Sequence, residues 1–342
     1  MKNVVFKEIL NSRDIELIRQ EKPEIPILAL TIGDAAGIGA ELAVKAVIDQ
    51  ELAEMCQIVI YGSRDVICEA VNRFIPDYKI HHKIYFKHCI DLDFSEYFIG
   101  QVNRECGLAA YETVRNATQD CLDNLIDGIV TAPMNKASVN EADIEFTGHT
   151  ELIAEMCGVE NYAMMQSDGA LRVVFVTTHI ALNKVSETIT KERIIEVTNL
   201  INDVIKQEGI LEPKIAMAAI NPHAGENGFM GDDEIKIVEP AIEELLKNNV
   251  KVTGPFPPDT LFIKAIRSKY DGIVSMYHDQ GHIPFKMLAF DSGVNSTLGL
   301  PIIRTSCDHG TAFEIAWQGI ADTGSLFAAV KLAAIRAKSK LN

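Results

Sequence analysis

The chain is predicted to be an α/β protein with two domains built on largely parallel sheets. Three observations carry this. Its 342 residues exceed the size at which one core usually stops growing. Short Val- and Ile-rich runs alternate with longer amphipathic stretches. Compact polar clusters follow directly on the apolar runs, as they do where parallel strands end in ligand-binding loops.

The strand-like runs are Ile25–Ile32, Ile58–Tyr61, Gly128–Thr131, Val173–Thr177, Ile215–Ile220, Lys251–Thr253 and Gly272–Met276. They lack a period of two, which fits strands buried on both faces. Helical patterns span Ala40–Asp49, Cys106–Leu125, Lys191–Glu208, Asp232–Lys247 and Ser325–Lys340. Pro240 should kink or split the fourth, and the basic end of the fifth suits the helix dipole. Residues 1–24 read as an appended arm or helix. No internal repeat or low-complexity linker is visible.

Composition narrows the class. With 48 acidic and 32 basic residues the net charge is −16, which argues against a nucleic-acid binder but leaves room for a local pocket for a small anion. The seven cysteines are odd in number and lack a C-x-x-C pair, so they read as free thiols in a reducing compartment. No apolar leader and no run of 18 apolar residues occurs, so the expected location is the cytoplasm.

Five strands end in polar clusters: Gly33–Gly39, Thr131–Lys136, Thr177–His179, Asn221–Glu226 and Tyr277–Gly281. Ligands bind beyond the carboxyl ends of such strands, so the five point to one crevice. Three clusters place a histidine just past the strand: His179, His223 and His278. Singly, each would be read as capping a strand or bonding a neighbour. Repetition at three equivalent points favours a shared divalent metal, for which three neutral imidazoles are a common shell. Asp279 is placed to complete or orient that shell, or to move a proton. His81, His82 and His88 read as surface residues, and His282 either reaches the site or packs. The glycine cluster Gly33–Gly39 is neither a Rossmann fingerprint nor a P-loop, and it reads equally as a tight turn or a ligand contact. Lys286, Asn295 and Arg304 supply donors for a carboxylate or phosphate. The segment Asp308–Glu314 reads as the start of a helix that holds a nucleotide through backbone N–H groups, or as a solvated loop.

The motifs Gly33–Glu41, Thr131–Lys136, Gly148–Glu151, Thr177–His179, Asn221–Glu226, Pro257–Thr260, Tyr277–Gly281 and Gly299–Ala316 together resemble the 4-hydroxythreonine-4-phosphate dehydrogenase (PdxA) family, in family order from Ile27 onward. The resemblance implies an isocitrate/isopropylmalate dehydrogenase-like fold, with two α/β/α domains and a cleft between them. It implies an N-terminal extension over 1–25, a first domain of 26–133 plus 290–342 on the cofactor side, and a second of 134–289 on the metal and dimer side. It implies a homodimer with a shared active site. His179, His223 and His278 would hold one divalent metal, zinc before magnesium, manganese or cobalt. His149, Thr150, Lys286, Asn295 and Arg304 would bind substrate, and Asp279 and Lys286 would be catalytic. His309, Gly310, Thr311, Ala312, Phe313 and Glu314 would bind NAD. Departures from the family pattern are Ala35, Ala40, Cys307 and Glu314.

Thr178–Leu182, His282, Ala316–Gly319 and Gly225–Gly228 look more like the D-threonate/D-erythronate 4-phosphate dehydrogenase branch than the vitamin B6 enzymes. The expected reaction is metal-assisted, NAD-dependent oxidative decarboxylation of a 4-phosphorylated β-hydroxy acid to dihydroxyacetone phosphate. The alternatives are 4-hydroxythreonine 4-phosphate as substrate, a histidine–metal hydrolase, or a non-catalytic binding protein.

Overall fold

The computed structural model describes residues 6–76, 83–93 and 99–341. His81 and His82 lie outside the described residues. The chain divides into two compact units, Met1–Glu160 with Leu300–Asn342, and Asn161–Gly299.

The first unit carries strands β1 (Phe6–Glu8), β2 (Ile27–Thr31), β3 (Gln57–Gly62), β4 (Ile84–His88) and β5 (Gly128–Thr131), and, after the chain returns, β12 (Arg304–Cys307). Their order is β1-β4-β3-β2-β5-β12, parallel throughout. All five residues of β2 and all four of β5 are buried, which explains their unbroken apolar character. The helix Arg104–Leu122 starts where the Asn103 side chain accepts from the Cys106 N–H at 3.0 Å. It buries Val114, Ala117 and Cys121 in a core with Ile27, Ala29, Val59 and Ile129.

The N-terminal segment holds a helix, the second of its two expected forms, and that helix is seated in a core. β1 pairs with β4, and the helix Ser12–Glu21 buries Ile15 and Ile18 in the same core. Arg19 fastens it by donating to both carboxylate oxygens of Asp127, at 3.0 and 3.1 Å. Asp127 in turn accepts from the Ile27 N–H at 2.7 Å, where β2 begins.

The second unit carries β6 (Ala163–Asp168), β7 (Leu171–Phe175), β8 (Lys214–Ala218), β9 (Lys251–Phe256), β10 (Gly272–Ser275) and β11 (Val294–Leu298). The order is β11-β6-β7-β10-β8-β9. From β7 to β9 the pairing is parallel, but β11–β6 and β6–β7 are antiparallel, so the sheet is mixed where a largely parallel one was expected. The cause is the tight β6–β7 hairpin at Gly169, whose φ is +52°. The helix Lys191–Gln207 is capped by Thr190 Oγ1, which accepts from the Arg193 N–H at 3.1 Å. Its Ile194, Val197, Ile201 and Ile205 pack on Val174, Ile215 and Val274. Each such side chain stabilises the fold by roughly 1.5–3 kcal/mol. Pro240 does split its helical stretch: Glu234–Val238 is a π-helical turn and Glu239–Lys247 an α-helix. The wider turn suits a proline, whose ring would clash with a carbonyl four residues back.

All seven cysteines are free thiols. Among the described residues no helix is long and apolar enough to cross a membrane.

The glycine cluster is a close turn between β2 and the helix Gly39–Val47. A Cβ on Gly33 would lie 2.2 Å from the Pro133 carbonyl oxygen, and one on Gly39 2.0 Å from that of Ile32. Inside the turn Asp34 is fully buried, and its Oδ1 accepts from the Ala36 N–H at 2.9 Å. Burial pushes its carboxyl from 3.8 up to about 6, against the pull of hydrogen bonds from Ala36, Ser138 and Asn135. The folded state therefore keeps a proton that the unfolded chain loses above 3.8. Stability falls as pH rises through that window, and the penalty is complete above about pH 6, on the order of 3 kcal/mol. Asp34→Asn should raise the urea midpoint at pH 7.5, with the gain over wild type vanishing toward pH 4. A gain independent of pH would show that Asp34 is not buried as an ion.

Candidate active site

In the second unit, three features bind the ends of β7, β8 and β10 together. The Thr177 hydroxyl donates to the Met276 carbonyl at 2.8 Å. Buried Gln280 accepts from the Met276 N–H and donates to the Ala219 carbonyl, both at 2.7 Å. A Cβ on Gly281 would meet Ser275 Oγ at 2.4 Å, so the glycine lets the helix His278–Leu288 press on the sheet.

That helix sets a stack of rings on Phe175. His278 and His282, one helical turn apart, lie face to face with centroids 4.5 Å apart and planes 12° apart. Phe175 lies 6.0 Å from the first ring and 5.8 Å from the second. His179 comes to 5.7 Å from His278. His278 Nδ1 meets Asp279 Oδ1 at 2.7 Å. An ionised carboxylate only accepts, so the ring proton sits on Nδ1 and the Nε2 lone pair is left for a ligand.

His223 lies in the turn that follows β8. It is exposed and opens a run of left-handed residues, His223 to Asn227, with φ of 52°, 55°, 73°, 44° and 57°. For non-glycine residues this backbone costs about 1–2 kcal/mol each. Among the described residues no three His, Cys, Asp or Glu side chains are placed to hold a metal ion. The chain brings the His179 and His278 rings together. Lys286 Nζ lies 5.9 Å from the centre of the Phe290 ring. Asn295 on β11 has a buried Oδ1 with no hydrogen-bond partner among the described residues.

In the first unit, Arg304, the first residue of β12, reaches Thr131, the last residue of β5. Arg304 is only 3% exposed, and its Nη2 donates to Thr131 Oγ1 at 2.9 Å. Burial lowers the guanidinium to about 10, opposed by Cys307 and Glu151, so it stays charged. Thr150 and His149 begin the helix His149–Met156. Burial, then the charges of Arg304 and Lys136, push the His149 imidazole down to about 3, against a hydrogen bond to Ala132. The ring is neutral at physiological pH. Its Nε2 is buried with no partner among the described residues.

The segment His309–Glu314 is not the start of a helix. Ala312 takes a φ of 44°, and Phe313–Ile315 form a single 3₁₀ turn. Thr311 packs on the glycine turn, its carbonyl accepting from the Ile38 N–H at 3.1 Å. Buried Trp317 locks the two loops by donating from Nε1 to the Ala35 carbonyl at 2.8 Å. His309 Nε2 is buried without a partner among the described residues, and Gly310 faces open space. Sequence reading missed Asp34, Phe175, Gln280 and the anchoring role of Trp317. Of these only Asp34 carries a visible signal, an acid inside a glycine turn.

Comparison with known proteins gives this arrangement its relatives. Residues 54–333 match the family described as pyridoxal phosphate biosynthetic protein PdxA. A 4-hydroxythreonine-4-phosphate dehydrogenase of Desulforapulum autotrophicum is 41% identical over 91% of this chain and 96% of its own. A D-threonate 4-phosphate dehydrogenase of Pectobacterium atrosepticum is 40% identical over 90% and 98%. The crystal structure of a 4-hydroxythreonine-4-phosphate dehydrogenase from Klebsiella pneumoniae superposes with a TM-score of 0.79, at 38% identity over 92% of this chain and 98% of that one. The fold is thus the isocitrate/isopropylmalate dehydrogenase-like fold of those enzymes, and the chain belongs to the PdxA family of dehydrogenases.

Proposed function

We propose that the protein catalyses NAD-dependent, divalent-metal-assisted oxidative decarboxylation of D-threonate or D-erythronate 4-phosphate, giving dihydroxyacetone phosphate and CO2. The observation that carries the reading is the imidazole pair, His179 and His278, at the ends of two adjacent parallel strands. Relatives named D-threonate 4-phosphate dehydrogenase, at 40% identity over nine-tenths of the chain or more, support the substrate choice.

His179 and His278 fit a divalent transition metal as two nitrogen donors, with His278 held in the right tautomer by Asp279. His223 would be the third donor, reached through a homodimer. Its loop ends in Phe229, 85% exposed, and the face Ile283, Met287 and Phe290 is also left bare, as an interface would require. The open Gly310 and the buried His309 Nε2 fit a cofactor loop over His309–Glu314. When bound, the metal supplies Lewis acidity toward the C3 hydroxyl and the enolate left by CO2 loss, and NAD takes the C3 hydride.

The chain's own residues bind, orient and move protons. Arg304 and Lys136 attract the substrate's phosphate and carboxylate, and Thr150 and the neutral His149 add hydrogen bonds that impose no further charge. Lys286 and Asn295 add donors, and the orphaned Asn295 Oδ1 accepts from a substrate hydroxyl. Asp279 or Lys286 takes the C3 hydroxyl proton and returns one to C2.

Incubation with NAD and either phosphorylated acid should produce NADH, and removal of divalent metal should cut the rate about a hundredfold or more. His223→Ala should be equally impaired while remaining folded. Full turnover of metal-free protein counts against the metal role.

His223→Ala and His278→Ala chains, each inactive alone, should regain activity on mixing if the shell is shared between subunits. No recovery in mixed dimers, or a fully active monomer, refutes the composite site.

The closest competitor is 4-hydroxythreonine 4-phosphate, the substrate named for the Desulforapulum relative. It carries ammonium at C2 where the preferred acids carry hydroxyl. An unpaired buried group costs roughly 1–3 kcal/mol, so kcat/KM should favour the hydroxy acids about ten- to hundredfold. His282→Leu should narrow that ratio, since His282 lies against His278. An unchanged ratio removes His282 from selectivity, and a reversed wild-type preference overturns the substrate assignment.

A further inference from the structure

The turn that carries His223 is held open by a device outside it. Beyond β8 the chain runs extended through Asn221, and from His223 to Gly228 it takes six left-handed residues in succession. Its internal bonds are few: the Gly228 and Met230 N–H groups both donate to the Gly225 carbonyl at 3.0 Å. The remaining support comes from Glu234, eleven residues on from His223 and only 1% exposed. Its Oε1 accepts from the N–H groups of Ile220 at 2.8 Å and Asn221 at 2.7 Å, and its Oε2 from Asn221 Nδ2 at 3.0 Å. Asp233 takes a second bond from Asn221 Nδ2 at 2.8 Å. The fit is close, for a Cβ on Gly225 would stand 2.6 Å from Glu234 Oε2, and one on Gly231 2.6 Å from Asn221 Nδ2.

Glu234 opens the π-helical turn that Pro240 follows. A π turn is a rare irregularity, frequent at functional sites. A buried carboxylate satisfied by backbone donors, beside a run of strained backbone, is more than packing requires.

We propose that Glu234 is a positioning residue: its carboxylate fixes the left-handed Asn221–Gly228 turn and thereby sets where the His223 imidazole stands. The proposal rests on the reading of His223 as a metal ligand.

Zinc affinity, measured by competition with a chromophoric chelator on full-length protein without NAD or substrate, tests it. Wild type is compared with His223→Ala, Glu234→Gln and Asn221→Ala. Glu234→Gln turns an amide N–H toward the backbone donors and should weaken zinc binding about tenfold or more, in line with the loss of other groups that orient metal ligands. Asn221→Ala removes only the side-chain donors and should weaken it less. Protease cleavage within 222–230 should rise in both. If His223→Ala loses zinc while Glu234→Gln retains wild-type affinity, the positioning role is overturned, whatever happens to the thermal midpoint. If His223→Ala binds zinc as wild type does, the metal-ligand reading fails first and takes the proposal with it. Should Glu234→Gln not fold, Asn221→Ala decides alone: weakened binding supports the role and unchanged binding overturns it.

Discussion

A strand buried on both faces leaves little room along its length for polar side chains, because burying one is costly. β2, β5 and β10 are buried from end to end, and their polar side chains, Thr31, Thr131 and Ser275, stand at the last residue of each, so polar chemistry is displaced to the carboxyl ends of these strands. That constraint gathers Thr131 and the glycine turn in one unit, and His179, His278 and Gln280 in the other; Arg304 instead opens β12 at its amino end and reaches Thr131 from there. It also explains the glycines. A turn that must leave a buried strand and enter a helix at once passes so close to its neighbours that Gly33 and Gly39 have no room for a side chain.

The same constraint decides what can be read without coordinates. The apolar runs of β2, β5, β7, β8 and β10 are legible because burial on both faces leaves them unbroken. β6 and β11 are not, since Gln166, Ser167, Asn295 and Ser296 interrupt them, and the hairpin at Gly169 supplies pairing that periodicity does not reveal. The N-terminal helix is hidden differently. Arg13, Asp14, Glu16 and Arg19 make the segment look like a solvated arm, while Ile15 and Ile18 are enough to seat it in the core.

The site divides along similar lines. That three histidines follow strands is plain from sequence order, and so is the one-turn spacing that stacks His282 on His278. The direction of His223 is not, because it depends on a left-handed turn stabilised by Glu234, far enough along the chain to show no local pattern. The segment His309–Glu314 looks like a helix start for its small and polar residues. Tertiary contacts override that tendency: the φ of 44° at Ala312 and 61° at Trp317 break the helix, and the indole bond to Ala35 fixes the loop on the glycine turn.

The electrostatics of the first unit run against the protein's overall charge. A chain of net charge −16 repels an anionic substrate at long range, so attraction must be local and poorly screened. Arg304 is a buried cation of that local kind: desolvation lowers its guanidinium only to about 10, so it keeps its charge away from the acidic surface. Burial first, and then the charges of Arg304 and Lys136, keep the His149 imidazole neutral, so it can give one hydrogen bond and accept another without adding charge. Thr131 shares the burial of Arg304, so the guanidinium's charge is held within the fold and not on the acidic surface.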